Sequence, residues 1–253
     1  MKKLFLIGVI VLVLIVGGLV FLYLSLNRVI RSAVETYGPQ VTKSEVKLGS
    51  VNVSPFSGNA SLSNLIVGNP QGFKTPSAFT LGAMSVSFDV RSLLSDTVAI
   101  REIVVSASEI TYELGPGGSN LTALQKNVEA YTGAGAKGGS GASQAQGAGK
   151  KVIIDRLRVE KSTLNVSVGV PLQAQSTTVA LPDIEMRDIG KKGQGASMAD
   201  VVEKILEEVN RHAAKAATNV DVKGLAEKAR KEAEGAAGTK GGVEKALKGV
   251  FGK

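Results

Sequence analysis

The chain opens with an apolar block. Residues 4–26 carry no charge and are almost all aliphatic or aromatic. At about 1.5 Å per residue this run would extend roughly 34 Å as a helix, enough for a hydrocarbon core of about 30 Å. It therefore predicts an N-terminal transmembrane helix. A cleavable leader would have an apolar stretch of about 7–15 residues closed by a small-residue site, and no Ala-x-Ala follows here. NRVIRSAVETY (27–37) continues the helical pattern, and Gly38-Pro39 is expected to stop it, because proline cannot extend a helix.

Alternating runs follow, and each one changes phase. Val46 and Leu48 give way to Val51 and Val53 after Gly49-Ser50. Leu62 is out of step with Leu65 and Val67, and Phe79 and Leu81 with Met84, Val86, Phe88 and Val90. A one-residue slip would send a strand's apolar set to the other face. Repeated slips at or near Gly, Ser or Asn predict bulges or bends that curve a sheet. Between the second and third runs stands GNPQGF. Pro70 lacks a backbone donor, Gly72 tolerates a positive φ, and Asn69 can bond its own backbone. Asn69, Pro70, Gly72 and Phe73 thus read as a shape-setting turn, with Phe73 tucked against the sheet.

SLLSD (92–96) is a short turn or helical piece, and residues 98–114 are strand, with Ile110, Tyr112 and Leu114 in phase. Leu121, Leu124, Val128 and Tyr131 share one face of a helix capped by Ser119 or Asn120. Residues 133–150, GAGAKGGSGASQAQGAGK, have a flexible linker's composition. Strand patterns resume with Val152 and Ile154, then Leu157 and Val159, then Leu164, Val166, Val168 and Val170. ITYEL and LRVEKSTLNVSV look like related hairpin material on either side of the linker. Ser197 and Asp200 form a capping signature for a helix over 197–218, whose stripe is Val201, Val202, Ile205, Leu206, Val209 and Ala213. The Ala/Lys/Glu-rich remainder is helical with little apolar anchoring.

The fold class so predicted is α+β: an N-terminal transmembrane helix, then a curved, mostly antiparallel β-sheet with covering helices and a helical C-terminal tail. The expected organisation is an anchor and short helix (1–37), the first part of the β-rich domain (38–132), the linker (133–150), the second part (151–190) and a helical region (191–253).

Composition removes chemistry from this frame. The absence of cysteine excludes disulfides, thiolate metal sites and cysteine nucleophiles. His212 is the single histidine, so no histidine-paired zinc spacing or serine–histidine elbow can be assembled. Gly133-x-Gly135-x-x-Gly138 matches a dinucleotide fingerprint in letters only, since no strand precedes it. The net charge is +8, from 30 basic and 22 acidic residues. The basic tail is nearly free of aromatics, which argues against nucleic acid and fits anionic lipid headgroups. No catalytic, cofactor-binding or metal-binding residue, and no small-molecule substrate, is expected.

What remains is an aliphatic strand face. Either the helices cover it as an ordinary core, or part of it stays open as an apolar groove. The candidate surface comprises Val51, Val53, Leu65, Val67, Val86, Phe88, Ile110, Tyr112, Leu164, Val166 and Val168. The partners expected for such a face are the acyl chains of membrane lipids or an apolar protein partner.

The stretches VTKSEVKLGSVNVSPFSGNASLSNLIVGNPQGF, SLLSDTVAIREIVVSASEITYEL with its later SNL, and LPDIEMRDIG occur in that order behind the apolar run. Together they resemble the AsmA-like proteins of bacterial envelopes, over most of residues 1–215. The resemblance implies a single-pass inner-membrane protein, N-terminus cytoplasmic and bulk periplasmic, with membrane lipids and other envelope proteins as partners. The role it implies is non-enzymatic assistance to lipid transport or outer-membrane biogenesis. At about 4.8 Å per strand, ten strands give a sheet of only about 50 Å, too short to bridge an envelope. A scaffold or assembly factor at the inner membrane is the alternative.

Overall fold

The computed structural model describes residues 25–115, 117–136, 150–169 and 174–237. Helix α1 covers 25–42. It is followed by β1 (Val46–Ser54), β2 (Asn59–Gly68), β3 (Ser77–Phe88), a 3-10 turn (Val90–Leu94), β4 (Thr97–Gly115), β5 (Gly118–Ser119) and α2 (Asn120–Ala136). Then come β6 (Lys151–Glu160), β7 (Ser162–Gly169), β8 (Ala174–Leu181), β9 (Ile184–Ile189), α3 (Met198–Ala217) and α4 (Val222–Ala237).

The architecture is α+β on a mostly antiparallel, open sheet, and the expected transmembrane helix is not part of it. Among the described residues no helix is long and apolar enough to cross a membrane. The run 4–26 lies outside the described residues except for Ser25 and Leu26, which begin α1. The linker interior at 137–149 and the tail beyond 237 also lie outside them. Helix α1 does not stop before Gly38-Pro39. It runs through them to residue 42, where Thr42 Oγ1 donates to the Gly38 carbonyl at 2.9 Å and Lys43 N–H to that of Pro39 at 3.0 Å. Gly38 has a packing reason: a Cβ there would lie 2.9 Å from Val46.

The nine strands form one sheet in the order β1-β2-β3-β4-β6-β9, with β7 beside β4 and β8 beside β7. Strand β4 is 19 residues long and is the spine. Its first half pairs with β6 and its second half with β7, both in parallel. The pairs Ser106↔Glu160 and Glu109↔Thr163 keep one offset, so β6 and β7 are two halves of one line. Likewise Val159↔Ile184 and Ser162↔Leu181 keep one register, so β8 and β9 form the next line. The related segments noticed in the sequence are thus parallel neighbours in register, with α2 in the crossover that parallel strands require.

The phase slips have a single origin. Apart from shifts at the strand ends, at Val67/Gly68 and Ser87/Phe88, register is the same on both sides of one transverse line, and the residues on that line drop out of the ladder. These are Gly49, Asn64, Gly82, Ala107, Lys161 and Pro182, one per strand line and each opposite the next. Asn64, Ala107 and Lys161 have φ of 55°, 53° and 53°, a left-handed conformation that reverses the side-chain alternation within an unbroken register. Their neighbours must be small or donorless. A Cβ on Gly49 would fall 2.7 Å from Asn64 Cβ, and one on Gly82 would fall 2.8 Å from the Ala107 carbonyl oxygen. The result is a crease, not a set of one-residue insertions, and the aliphatic face continues across it. Leu81 and Met84, on opposite sides of the crease, both pack on the main core.

Helices α2 and α3 lie on that face. Leu121, Leu124 and Val128 of α2 are buried, as are Val201, Val209 and Ala213 of α3. Ser197 caps α3 with a reciprocal capping box through Asp200, which satisfies two otherwise orphaned N–H groups. Beneath the helices, Ile154, Leu157, Leu164 and Val166 are nearly inaccessible. Each such side chain contributes roughly 1.5–3 kcal/mol by leaving water.

Candidate functional site

Burial divides the sheet. The rows Val53–Ala60–Val86–Ile103 and Val51–Leu62–Met84–Val105 cross β1 to β4 on one side of the crease. Leu48–Leu65–Leu81 and Val46–Val67–Phe79–Ile110 continue them on the other. On β4 two of these rows end buried, at Val105 and Ile110, and Ile103 is half-buried. Over β1–β3 most of them are only half-buried, including Val51, Val53, Leu62, Leu65 and Val86. With strands about 4.8 Å apart, this is an aliphatic floor about 10 Å across between the outer two strands.

The candidate surface read from the sequence therefore separates into two groups. Val51, Val53, Leu65, Val67 and Val86 lie on the half-buried floor, and Tyr112 is half-buried against the core. Ile110, Leu164, Val166 and Val168 belong to the covered core, at 2%, 0%, 0% and 0% exposure. Phe88 is also buried, at the end of β3, where the register shifts and its N–H donates to the Gly58 carbonyl at 2.8 Å. These five are corrected from surface to interior. The reason for the four is that α2 and α3 pack over β4, and α3 and α4 over β7 and β8, which strand alternation alone does not reveal.

The floor has a built rim. Helix α1 runs antiparallel to β1, with Leu26, Ile30 and Val34 half-buried at i, i+4 spacing. It also closes the sheet edge. Asn27 Oδ1 accepts from Val53 N–H at 2.9 Å, and Glu35 Oε1 accepts from Leu48 N–H at 3.1 Å. These side chains occupy donors that an incoming strand would use. The Leu48 hydrogen bond, with help from Arg31, holds the Glu35 carboxyl below its ordinary value.

The GNPQGF turn closes one end of the sheet. Asn69 does not bond its own backbone. Its Nδ2 donates to the Thr75 carbonyl at 2.7 Å and to Thr75 Oγ1 at 2.6 Å, and its Oδ1 accepts from Asn120 Nδ2 at 2.7 Å. Pro70 is buried, Gly72 has φ 103°, and the Phe73 ring lies over Gly115, 3.2 Å from where a Cβ would be. The segment folds over Glu113, which is 1% exposed and on the opposite face from Ile110 and Tyr112. Glu113 accepts from Lys74 N–H, Thr75 N–H and Thr75 Oγ1 at 2.7, 2.8 and 2.6 Å. Asn120 completes the network, accepting from Glu113 N–H at 2.9 Å and donating to the Thr111 carbonyl at 2.8 Å. A buried carboxylate is tolerated only when it is bonded in this way. Sequence reading missed Thr75, Glu113 and Asn120 as a unit. The one signal was a glutamate in a strand that becomes buried on both faces.

The reverse face of β1–β4 is polar. Asn52, Ser61 and Ser85 form one row and Ser54, Asn59, Ser87 and Glu102 another, lining a shallow depression of about 350 Å³. Beside it, Glu102 holds Arg156 and Arg158, and Glu185 holds Arg156 and Arg187. Every charge there meets an opposite one, so this face is a solvated ladder. No family model matches the chain, and no curated protein matches it.

Proposed function

We propose that this is a non-enzymatic lipid-handling protein of the bacterial envelope, working on the periplasmic side of the inner membrane. The observation that carries the reading is the division of one aliphatic face. Helices bury Val105, Ile110, Ile154, Leu157, Leu164 and Val166 over β4–β7, while Val51, Val53, Leu62, Leu65 and Val86 stay half-buried over β1–β3. A continuous, directionless apolar strip suits an acyl chain, which needs area and no hydrogen bonds. The resemblance to AsmA-like proteins supports the envelope setting, and the assignment of lipid to the strip rests on that analogy as well as on shape.

The test exploits the cysteine-free chain. Single cysteines at Leu62 and Val86 carry a photo-crosslinker in the full chain within bacterial membranes, with Ser61 and Ser85 on the reverse face as controls. Lipid adducts at the first pair and not at the second are expected. Equal adducts on both faces, or none, would overturn the proposal. A discrete protein band at Leu62 would favour the scaffold alternative.

A further inference from the structure

The two ends of the sheet differ in a way the floor does not explain. Strands β1, β3 and β9 finish at one end, and β2, β4 and β6 start there. The same end holds the 55–58 turn, the 3-10 turn and the start of α3. The opposite end holds the GNPQGF turn and Asn120. Among the described residues, the two large hydrophobic side chains most open to solvent lie at the first end, whereas Tyr37 at 51% and Ile66 at 38% lie toward the other and Val29 at 60% is on α1. Phe56 is 87% exposed, Leu94 93%, Met198 56% and Val90 37%. Phe56 and Leu94 sit on adjoining turns. Phe88 N–H donates to the Gly58 carbonyl at 2.8 Å, and a Cβ on Gly58 would meet Val90 Cγ2 at 3.2 Å.

Charge at this end is uneven. Arg28, Arg91, Lys151 and Lys192 are exposed and form no ion pair among the described residues. The acids are mostly engaged: Asp89 with Arg101, Asp155 and Asp188 with Lys191, and Asp200 with the Ser197 backbone, leaving Asp96. Bulky apolar tips ringed by free cations suit the boundary of an anionic bilayer, where the tips enter the acyl region and the cations stay at the headgroups. Helix α1 runs antiparallel to β1, with Asn27 beside Val53, so Ser25 lies at this end.

We infer that the end carrying Phe56 and Leu94 docks on an anionic lipid surface, setting the strands steeply to the membrane with the GNPQGF turn pointing away. This goes beyond the lipid-handling reading and holds whether or not the floor takes an acyl chain. The orientation would place the near end of the floor at the headgroups.

The full chain, carrying one environment-sensitive fluorophore on a cysteine at Phe56, Leu94 or Gln71, is reconstituted with phosphatidylethanolamine–phosphatidylglycerol vesicles. The vesicles contain nitroxide-labelled lipid. Gln71 lies in the far turn and is exposed, so its label reports unspecific proximity. Labels at Phe56 and Leu94 should lose most of their emission and shift to the blue, while the Gln71 label keeps its spectrum. Replacing phosphatidylglycerol by phosphatidylcholine, or combining Arg91→Glu with Lys192→Glu, should weaken the quenching. Equal quenching at all three positions, or none at Phe56 and Leu94, would overturn the docking. Quenching indifferent to both charge changes would overturn the headgroup part. Lipid adducts at Leu62 report the floor separately, so either reading can fail alone.

Discussion

The sheet has two halves built from the same kind of strand, and only one is finished. In β4 and β6–β9 the aliphatic rows meet α2, α3 and α4, and Ile154, Leu157, Leu164 and Val166 are at most 2% exposed. In β1–β3 the same rows, in unbroken register, meet no comparable layer, and Leu62, Leu65 and Val86 stay half-buried. The difference therefore does not lie in strand sequence. It lies in where the helices fall, and it shows that an aliphatic face supplies stability only where a second layer removes it from water.

The largest expected contrast tests that point. Leu164→Ala should cost about 2–5 kcal/mol, because it leaves a cavity under the helices. Leu62→Ala should cost well under half as much, since its site is already partly wet. Urea unfolding of the two variants measures both, and equal losses would mean that the floor is covered in solution. Gly82→Ala comes next, at about 1–3 kcal/mol, because its Cβ would meet the Ala107 carbonyl and the crease cannot yield. The same measurement on Gly72→Ala separates crowding from backbone preference, since nothing lies within 4 Å of a Cβ there. Glu113→Ala should cost about 1–3 kcal/mol by removing the acceptor shared by the Lys74 and Thr75 donors. Its effect should appear as faster amide exchange in residues 69–76, while α3 is spared.

The smallest effect concerns the guarded edge. Glu35 is held below its ordinary value, chiefly by the Leu48 N–H. Its contribution is complete above the ordinary glutamate value and is lost as pH falls through the depressed one. The protection of the Leu48 amide, its exchange rate relative to the intrinsic rate at each pH, should therefore fall on the acid side of that window and be flat above it. Glu35→Gln should remove the pH dependence while keeping an acceptor. Combined Asn27→Ala and Glu35→Ala should unmask β1 and raise self-association in sedimentation.

Much of the fold was readable from linear pattern because it is local. The stripes of α2 and α3, the Ser197 capping box and the phase slips are properties of a few adjacent residues. The cause of the slips was not readable. Gly49 and Gly82 looked like bends in their own strands, yet they provide space for Asn64 and Ala107 across the ladder, a relation that exists only once strands are paired. The parallel pairing of β4 with β6 and β7 was hidden for the same reason, although the likeness of the two segments pointed to it. Of the candidate surface, alternation identified the aliphatic face but not which part of it is roofed. Leu164, Val166 and Val168 have the same pattern as Val51 and Val53 and a different fate. The Glu113 network was invisible because its members are brought together by the turn at Asn69.

The crease also gives the sheet an origin from which strand lengths are counted. Every strand line must deliver its special residue to the same level, so residues can be gained or lost beyond that level only at the strand ends. A single deletion in β2 between Asn59 and Asn64 would move its left-handed residue away from both Gly49 and Gly82 and set it against side chains with no room. Any strand added beside β8 and β9 would have to carry its own pivot opposite Pro182. Growth of this sheet is therefore quantised by whole strands cut to a common mark.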